Sequence, residues 1–325
     1  MEKLPNDKFY LKDKDENKEV EQGVTIGKSR FIYIKDRLAG GKVFVNEDKS
    51  TYLRTGGPSE IAGEVNLTRE LYKRGFPVPK LLETGTLPNG DVYYIEQSMG
   101  EDVFGDIFRE ETKTSGHVSD KSFDKFAGVI RKYYEAQFNL SNFVPHDRNA
   151  LARMTILETV MRNHPPSDKM REMFTMAYER ASQKLLSLPW GYIQSDLNAF
   201  NVLKDGVIDF EMAGFGPVGY DILMSVYFGR MWPADRVAYV FTDEQITRYI
   251  AEVDKAAQDK NLPALSLYTD DFLILKTIWA SGGDKESYSP DFLQWRVRVR
   301  DWSIKQYLTD KKIDTNQFES VGRQV

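Results

Sequence analysis

The rhythm of hydrophobic and polar positions changes about a third of the way along the chain. The first part carries short β-prone runs, Phe31-Ile32-Tyr33-Ile34, Val43-Phe44-Val45 and Thr51-Tyr52-Leu53, each bounded by turn residues. Such runs predict an antiparallel meander. One helical pattern interrupts it. From Glu64, the stretch EVNLTRELYKRG puts Val65, Leu67, Leu71 and Tyr72 on one face. Gly75 and then Pro77-Val78-Pro79 predict its end. Leu81-Leu82 and Val92-Tyr93-Tyr94-Ile95 flank Pro88-Asn89-Gly90-Asp91, where Asn-Gly is a strong hairpin signal. Glu96-Gln97-Ser98-Met99-Gly100 follows as a connection.

Beyond about residue 104 the pattern becomes helical. Phe123, Phe126, Ile130, Tyr133, Tyr134 and Phe138 recur at spacings of three and four, a stripe that reads as core. Lys169 to Leu186 predicts a second helix. Thr242 to Gln245 is a capping box, and Ser289-Pro290 opens a helix carrying Phe292, Trp295, Val299 and Trp302. Trp232, Trp279, Trp295 and Trp302 either pack these helices or line a pocket. The expected organisation is a polar extension over 1–22, a sheet-rich lobe over 23–99 and a helical lobe over 100–325.

Composition narrows the class. The chain has 325 residues, a net charge of −5 and no cysteine. Thiol catalysis, disulfides and cysteine-ligated metals are therefore excluded, and the charge gives nucleic-acid binding no support. No apolar run is long enough to span a membrane. The first 22 residues lack the apolar stretch of a secretory signal, and a cytoplasmic enzyme fits these features.

The candidate chemistry sits in YIQSDLNAFNVLKDGVIDFEMAGFGPVGYDI, between Tyr192 and Ile222. Asp196 and Asn201 form a D-x-x-x-x-N loop, and Asp209 follows the apolar run Gly206-Val207-Ile208. An acid to orient a hydroxyl, then an amide and a second acid to hold Mg²⁺, is the set phosphoryl transfer requires, because that chemistry rests on positioning and charge neutralisation. Lys204-Asp205-Gly206 supplies turn chemistry between two strands. Gly40 and Gly41, in Arg37-Leu38-Ala39-Gly40-Gly41-Lys42, would let backbone N–H groups approach phosphates. The loop from Gly23 to Arg30, with Gly27, competes for that role.

These motifs resemble the catalytic core of the aminoglycoside phosphotransferase and choline kinase-like superfamily, whose pattern is H-x-D-x-x-x-x-N followed by I-D-[WF]-[ED]. Here Gln194 stands in place of the usual histidine, and none of His117, His146 and His164 is near it in sequence. The resemblance implies an α+β, two-lobed, protein kinase-like fold with a small antiparallel sheet and a larger helical lobe. It implies that Arg54 ends the third strand as the phosphate-pairing base, held by Glu64 rather than Glu70. It also implies that backbone groups of Glu96, Gln97 and Ser98 meet adenine, and that Asp221 braces the catalytic loop. Glu211 could touch metal or acceptor.

The expected activity is transfer of the γ-phosphate of ATP or GTP, with Mg²⁺, to the hydroxyl of a small molecule. Only eleven residues separate Asp209 from Asp221, too few for the activation segment of a protein kinase. Asp270, Asp271 and Asp284 could form an acidic acceptor pocket. The alternatives are a nucleotide-binding pseudokinase or regulatory module, and nucleotidyl transfer on the same lobe.

Overall fold

The computed structural model describes residues 23–37, 40–284 and 288–324; the expected extension over 1–22, and Leu38 and Ala39 of the Gly-Gly turn, lie outside them. The sheet region runs β1 (Val24–Ile26), β2 (Ser29–Asp36), β3 (Lys42–Asn46), β4 (Thr51–Gly56), α1 (Pro58–Lys73), β5 (Leu81–Thr86) and β6 (Val92–Gln97). Its six strands pair antiparallel in the order β1-β2-β3-β4-β6-β5. Alternation sets the two faces. Phe31, Phe44, Leu53, Tyr93 and Ile95 cluster on one side, while Tyr94 meets Ile61 and Val65 of α1 on the other.

Two boundaries differ from expectation. Helix α1 begins at Pro58, six residues before Glu64, because a proline at the first turn is pre-organised for a helix and Ile61 is fully covered. Strand β6 continues through Glu96 and Gln97, which the sequence pattern placed in the connection. The ladder to β4 carries them, with Glu96 opposite Tyr52 and Gln97 opposite Thr51.

The helical region follows as α2 (Phe104–Ser115), α3 (Asp120–Gln137), α4 (Arg148–Met154), α5 (Leu157–Asn163) and α6 (Asp168–Leu185). Next come β7 (Trp190–Ile193), β8 (Val202–Leu203), β9 (Gly206–Val207), β10 (Gly214–Pro217) and α7 (Tyr220–Tyr227). The chain closes with α8 (Asp243–Gln258), α9 (Thr269–Ala280), α10 (Pro290–Leu308) and α11 (Phe318–Arg323). The aromatic stripe of α3 is buried, as its spacing predicted. The capping box at Thr242 and Gln245 is formed. Ser289 instead accepts a hydrogen bond from Arg236 and caps nothing with its side chain. Among the described residues no helix is long and apolar enough to cross a membrane.

Two small pairings frame the candidate loop. Strands β7 and β10 pair antiparallel, and β8 and β9 form a hairpin. The hairpin is docked on the loop between α1 and β5 and on the chain that crosses from sheet to helices: Val207 N–H donates to the Pro77 carbonyl at 2.7 Å, and Asp205 N–H to that of Met99 at 3.0 Å. A Cβ at Gly206 would collide with Pro77 and Met99, so only glycine allows that approach. The acid after the hairpin is thereby fixed relative to both regions.

Candidate active site

The candidate catalytic loop leaves β7 through Gln194 and Ser195. Gln194 is fully buried, and Ser195 holds a left-handed backbone with φ 69°. Asp209, beyond the β8–β9 hairpin, is likewise left-handed with φ 66°. Non-glycine residues in this region are strained and persist only where their surroundings hold them. Gln194 does so from both ends. Its Oε1 accepts from Asp196 N–H at 2.8 Å, and its Nε2 donates to the Asp209 carbonyl at 2.6 Å. One neutral carboxamide thus ties the loop of Asp196 to the loop of Asp209. None of the three histidines reaches this position: His146 and His164 lie against the carbonyls of Leu188 and Gly283, and His117 is exposed.

A second layer fixes Gln194. Asp221, almost wholly buried, accepts from the Gln194 N–H at 2.8 Å, the Tyr133 hydroxyl at 2.9 Å, Gln137 Nε2 at 3.2 Å and its neighbour's N–H (Ile222) at 3.0 Å. Burial pushes its carboxyl above the usual range, and these neutral donors pull it back. Gln137 also donates to the Tyr192 carbonyl and accepts from Gly219 N–H, so α3, β7 and the start of α7 are joined at one point.

Asp196 itself remains about 30% exposed at its side chain. Its backbone carbonyl accepts from Asn201 Nδ2 at 3.0 Å and Asn198 Nδ2 at 2.9 Å. The first of these orients the Asn201 carboxamide and turns its oxygen to a different side. Burial raises the Asp196 carboxyl, Lys276 opposes that rise, and the charge of Asp209 adds to it. The charge of Asp209 is also felt at Arg54 and at Glu211. The backbones of the three candidates are joined by hydrogen bonds: Asn201 Nδ2 donates to the Asp196 carbonyl, Ile208 N–H donates to the Asn201 carbonyl at 2.9 Å, and Gln194 bridges Asp196 and Asp209.

The basic residues of the sheet are paired differently from expectation. Arg54 binds Glu96 at 2.8 Å, and Glu64 binds Arg37 at 2.5 Å. The register explains the first pair. Arg54 sits opposite Tyr94 on the α1 side of the sheet, and Glu96 is its diagonal neighbour two residues on. The second pair arises because the Gly40-Gly41 turn folds over β4: both glycines have positive φ, and a Cβ at Gly41 would strike the Thr55 carbonyl. Arg37 is thereby swung to Glu64 and lies 3.6 Å from Glu211 across the cleft. The Gly40 N–H closes this turn on the Arg37 carbonyl. Glu70 pairs with Arg74 within α1, leaving Glu64 as the inward acid. The competing Gly27 loop is the hairpin between β1 and β2.

Where β6 ends, the N–H groups of Gln97 and Ser98 are bonded to the carbonyls of Lys80 and Ser50. The Glu96 side chain is buried against Arg54, and burial raises its carboxyl. The acids expected to form an acceptor pocket are dispersed. Asp271 is buried at the start of α9 against Lys184 and the Tyr307 hydroxyl, Asp270 accepts from Ile313 N–H, and Asp284 is exposed. Of the four tryptophans considered as pocket candidates, Trp232 stacks on Phe292, Trp295 is buried in α10 and Trp302 meets Phe318 edge-on. Trp279 alone of these lies by the site, under the ammonium of Lys276, 3.7 Å from its ring centre.

Sequence reading missed Arg37, Lys276, Tyr133 and Gln137. A signal existed for Lys276, the single charge inside the apolar run FLILKTIWA. For Tyr133 and Gln137 there was none, because a buried polar partner looks like any other residue of an amphipathic stripe.

Residues 41–255, well over half of the chain, match the phosphotransferase enzyme family, APH, and the chain belongs to it. Solved structures agree on the fold. The microcompartment-associated aminopropanol kinase superposes with a TM-score of 0.56 at 14% identity, covering 89% of this chain and 95% of that one. A thermostable mutant of aminoglycoside phosphotransferase APH(4)-Ia, in complex with AMP-PNP and hygromycin B, gives 0.55 at 17% identity, covering 85% and 94%. Aminoglycoside phosphotransferase APH(3'')-Id from Streptomyces rimosus, with ADP and streptomycin, gives 0.51 at 14%, covering 76% and 92%. No curated protein matches the chain.

Proposed function

We propose that this protein transfers the γ-phosphate of ATP or GTP to the hydroxyl of a small molecule. The observation that carries this reading is the tie made by Gln194, which holds the loops of Asp196 and Asp209 in fixed relation without the family's histidine. In the transfer, the acceptor oxygen bonds to phosphorus, the bond from phosphorus to the bridging oxygen of the nucleotide breaks, and the hydroxyl proton passes to Asp196. Arg54 and Arg37 face the phosphates and offset the negative charge that builds there.

The donor set suits Mg²⁺. That ion is usually bound by one or two protein oxygens together with phosphate and water. Asp209 and the Asn201 side-chain oxygen would hold it, and it would neutralise phosphate charge. Adenine contacts at Gln97 and Ser98 would fall to their carbonyl oxygens, since their N–H groups are bonded within the sheet region. With Asp270 and Asp271 engaged elsewhere, little supports a polycationic acceptor over an amino alcohol, sugar or nucleoside. Cytoplasmic location and a division near residue 99 remain part of this reading.

The test is a screen of hydroxylated metabolites and aminoglycosides for Mg-dependent ADP or GDP release, repeated with Asp196→Asn. Loss of a positioned acid–base group costs about 10²–10⁴ in rate, so that variant should fall by this range and still bind nucleotide. Wild-type turnover in Asp196→Asn would remove the assignment. Nucleotide-dependent stabilisation with no transfer to any acceptor would favour a regulatory module instead.

A further inference from the structure

Lys276 lies in the middle of α9 among Phe272, Leu273, Ile274, Leu275, Thr277 and Ile278, all buried. Its own residue is 4% exposed. Removing an ammonium from water costs several kcal/mol, and an ion pair in such a place is more often matched or bettered by apolar packing. A fold seeking stability at this position would therefore do as well with methionine. The charge calls for another reason.

Its surroundings supply one. Nζ lies 3.4 Å from Asp196 Oδ1, 3.5 Å from the Ser195 carbonyl and 3.7 Å from the centre of the Trp279 ring. The other carboxylate oxygen, Oδ2, meets Asn198 Nδ2 at 3.2 Å. Each oxygen of Asp196 thus has one fixed donor, on different elements, and the plane of the carboxylate is set. Enough of it stays open to reach a hydroxyl. The other charged groups facing Lys276 are Arg296 of α10, which repels it, and Asp221 of α7, which attracts it.

We propose that Lys276 is a positioning residue for phosphoryl transfer, locking the Asp196 carboxylate through Oδ1 in the orientation that accepts the acceptor's proton. The assignment rests on the phosphotransfer reading above. Lys276 acts through Asp196, not on the nucleotide. A misplacement of about 1 Å at a reacting group costs roughly 10²-fold, so the effect belongs in kcat.

The experiment uses the full chain with Mg·ATP, measuring ADP release with water as acceptor and with any acceptor the screen returns. Lys276→Met should lower kcat by about 10²-fold and leave KM for ATP within about three-fold, with an unchanged urea midpoint. In an Asp196→Asn background the same substitution should cost less than about three-fold, because an indirect residue has nothing left to act on. A merely structural lysine would cost the same in both backgrounds, and that result overturns the proposal. The chain has no cysteine, so 2-bromoethylamine alkylates only the introduced thiol of Lys276→Cys and rebuilds an ammonium of the same reach. Recovery of kcat on alkylation is expected; full alkylation by mass with no recovery counts against the assignment. An active wild type matched by Lys276→Met removes this inference alone. A wild type that releases no ADP under any condition removes the phosphotransfer reading and this assignment with it.

Discussion

Two networks flank the candidate site, and they are built from different materials. On the sheet side, Arg37, Glu64, Arg54, Glu96 and Glu211 form ion pairs whose members also lie within reach of one another's charge. On the helical side, Asp221 is held by neutral donors, the Tyr133 hydroxyl, the Gln137 and Gln194 groups and a backbone N–H. On the phosphotransfer reading proposed above, charge pairs suit the side that would receive phosphates, because an arriving anion can take over a guanidinium from a glutamate. A buried carboxylate saturated by hydrogen bonds suits the side that must not move. From this difference we expect an adaptable half of the site and a rigid one.

The largest effect should come from breaking the rigid half. Asp221→Ala leaves four donors facing an apolar void and should lower unfolding free energy by about 3–5 kcal/mol, read from urea denaturation. A loss below about 1 kcal/mol would mean the helical network is not the stiff element. The adaptable half should answer in binding more than in stability. Arg37→Ala should weaken ATP affinity about ten-fold, the scale of one charge-assisted hydrogen bond. Calorimetry would measure this, and unchanged affinity would take Arg37 away from the phosphates. Stability should fall much less than for Asp221→Ala, because Arg54 also attracts Glu64.

The smallest effect is one of pH. Glu96 has its carboxyl raised by burial, partly offset by Arg54. A raised acid binds its proton more tightly folded than unfolded, so its contribution is full below the ordinary carboxylate range, about pH 4. It is lost as pH climbs through the folded value. Glu96→Gln should therefore flatten the decline in stability on going from pH 4 upward. Denaturant midpoints measured across that window, for wild type and variant, would test it; parallel curves would show that Glu96 does not titrate there.

Much of this was legible beforehand for a physical reason. Strands, helix faces and turns announce themselves through local periodicity, and Asp196, Asn201 and Asp209 sit within fourteen consecutive residues. Their mutual placement is dictated by one loop and one hairpin. The partners of charged side chains are another matter. Arg54 was expected at Glu64, and the sheet register gave it Glu96 instead. Sequence distance carried no hint that Arg37, 27 residues from Glu64, would close that pair.

From its sequence, then, the chain determined its elements, its family motifs and the residue types of the candidate loop, because each depends on neighbours a few positions away. Tertiary structure alone decided which acid neutralises which base, that Gln194 does the bracing, and that Lys276, eighty residues from Asp196, stands beside it. Coulomb and hydrogen-bond energies are set by distances in space. Only the packing of α9 against the catalytic loop, and of one strand on the next, makes those distances short.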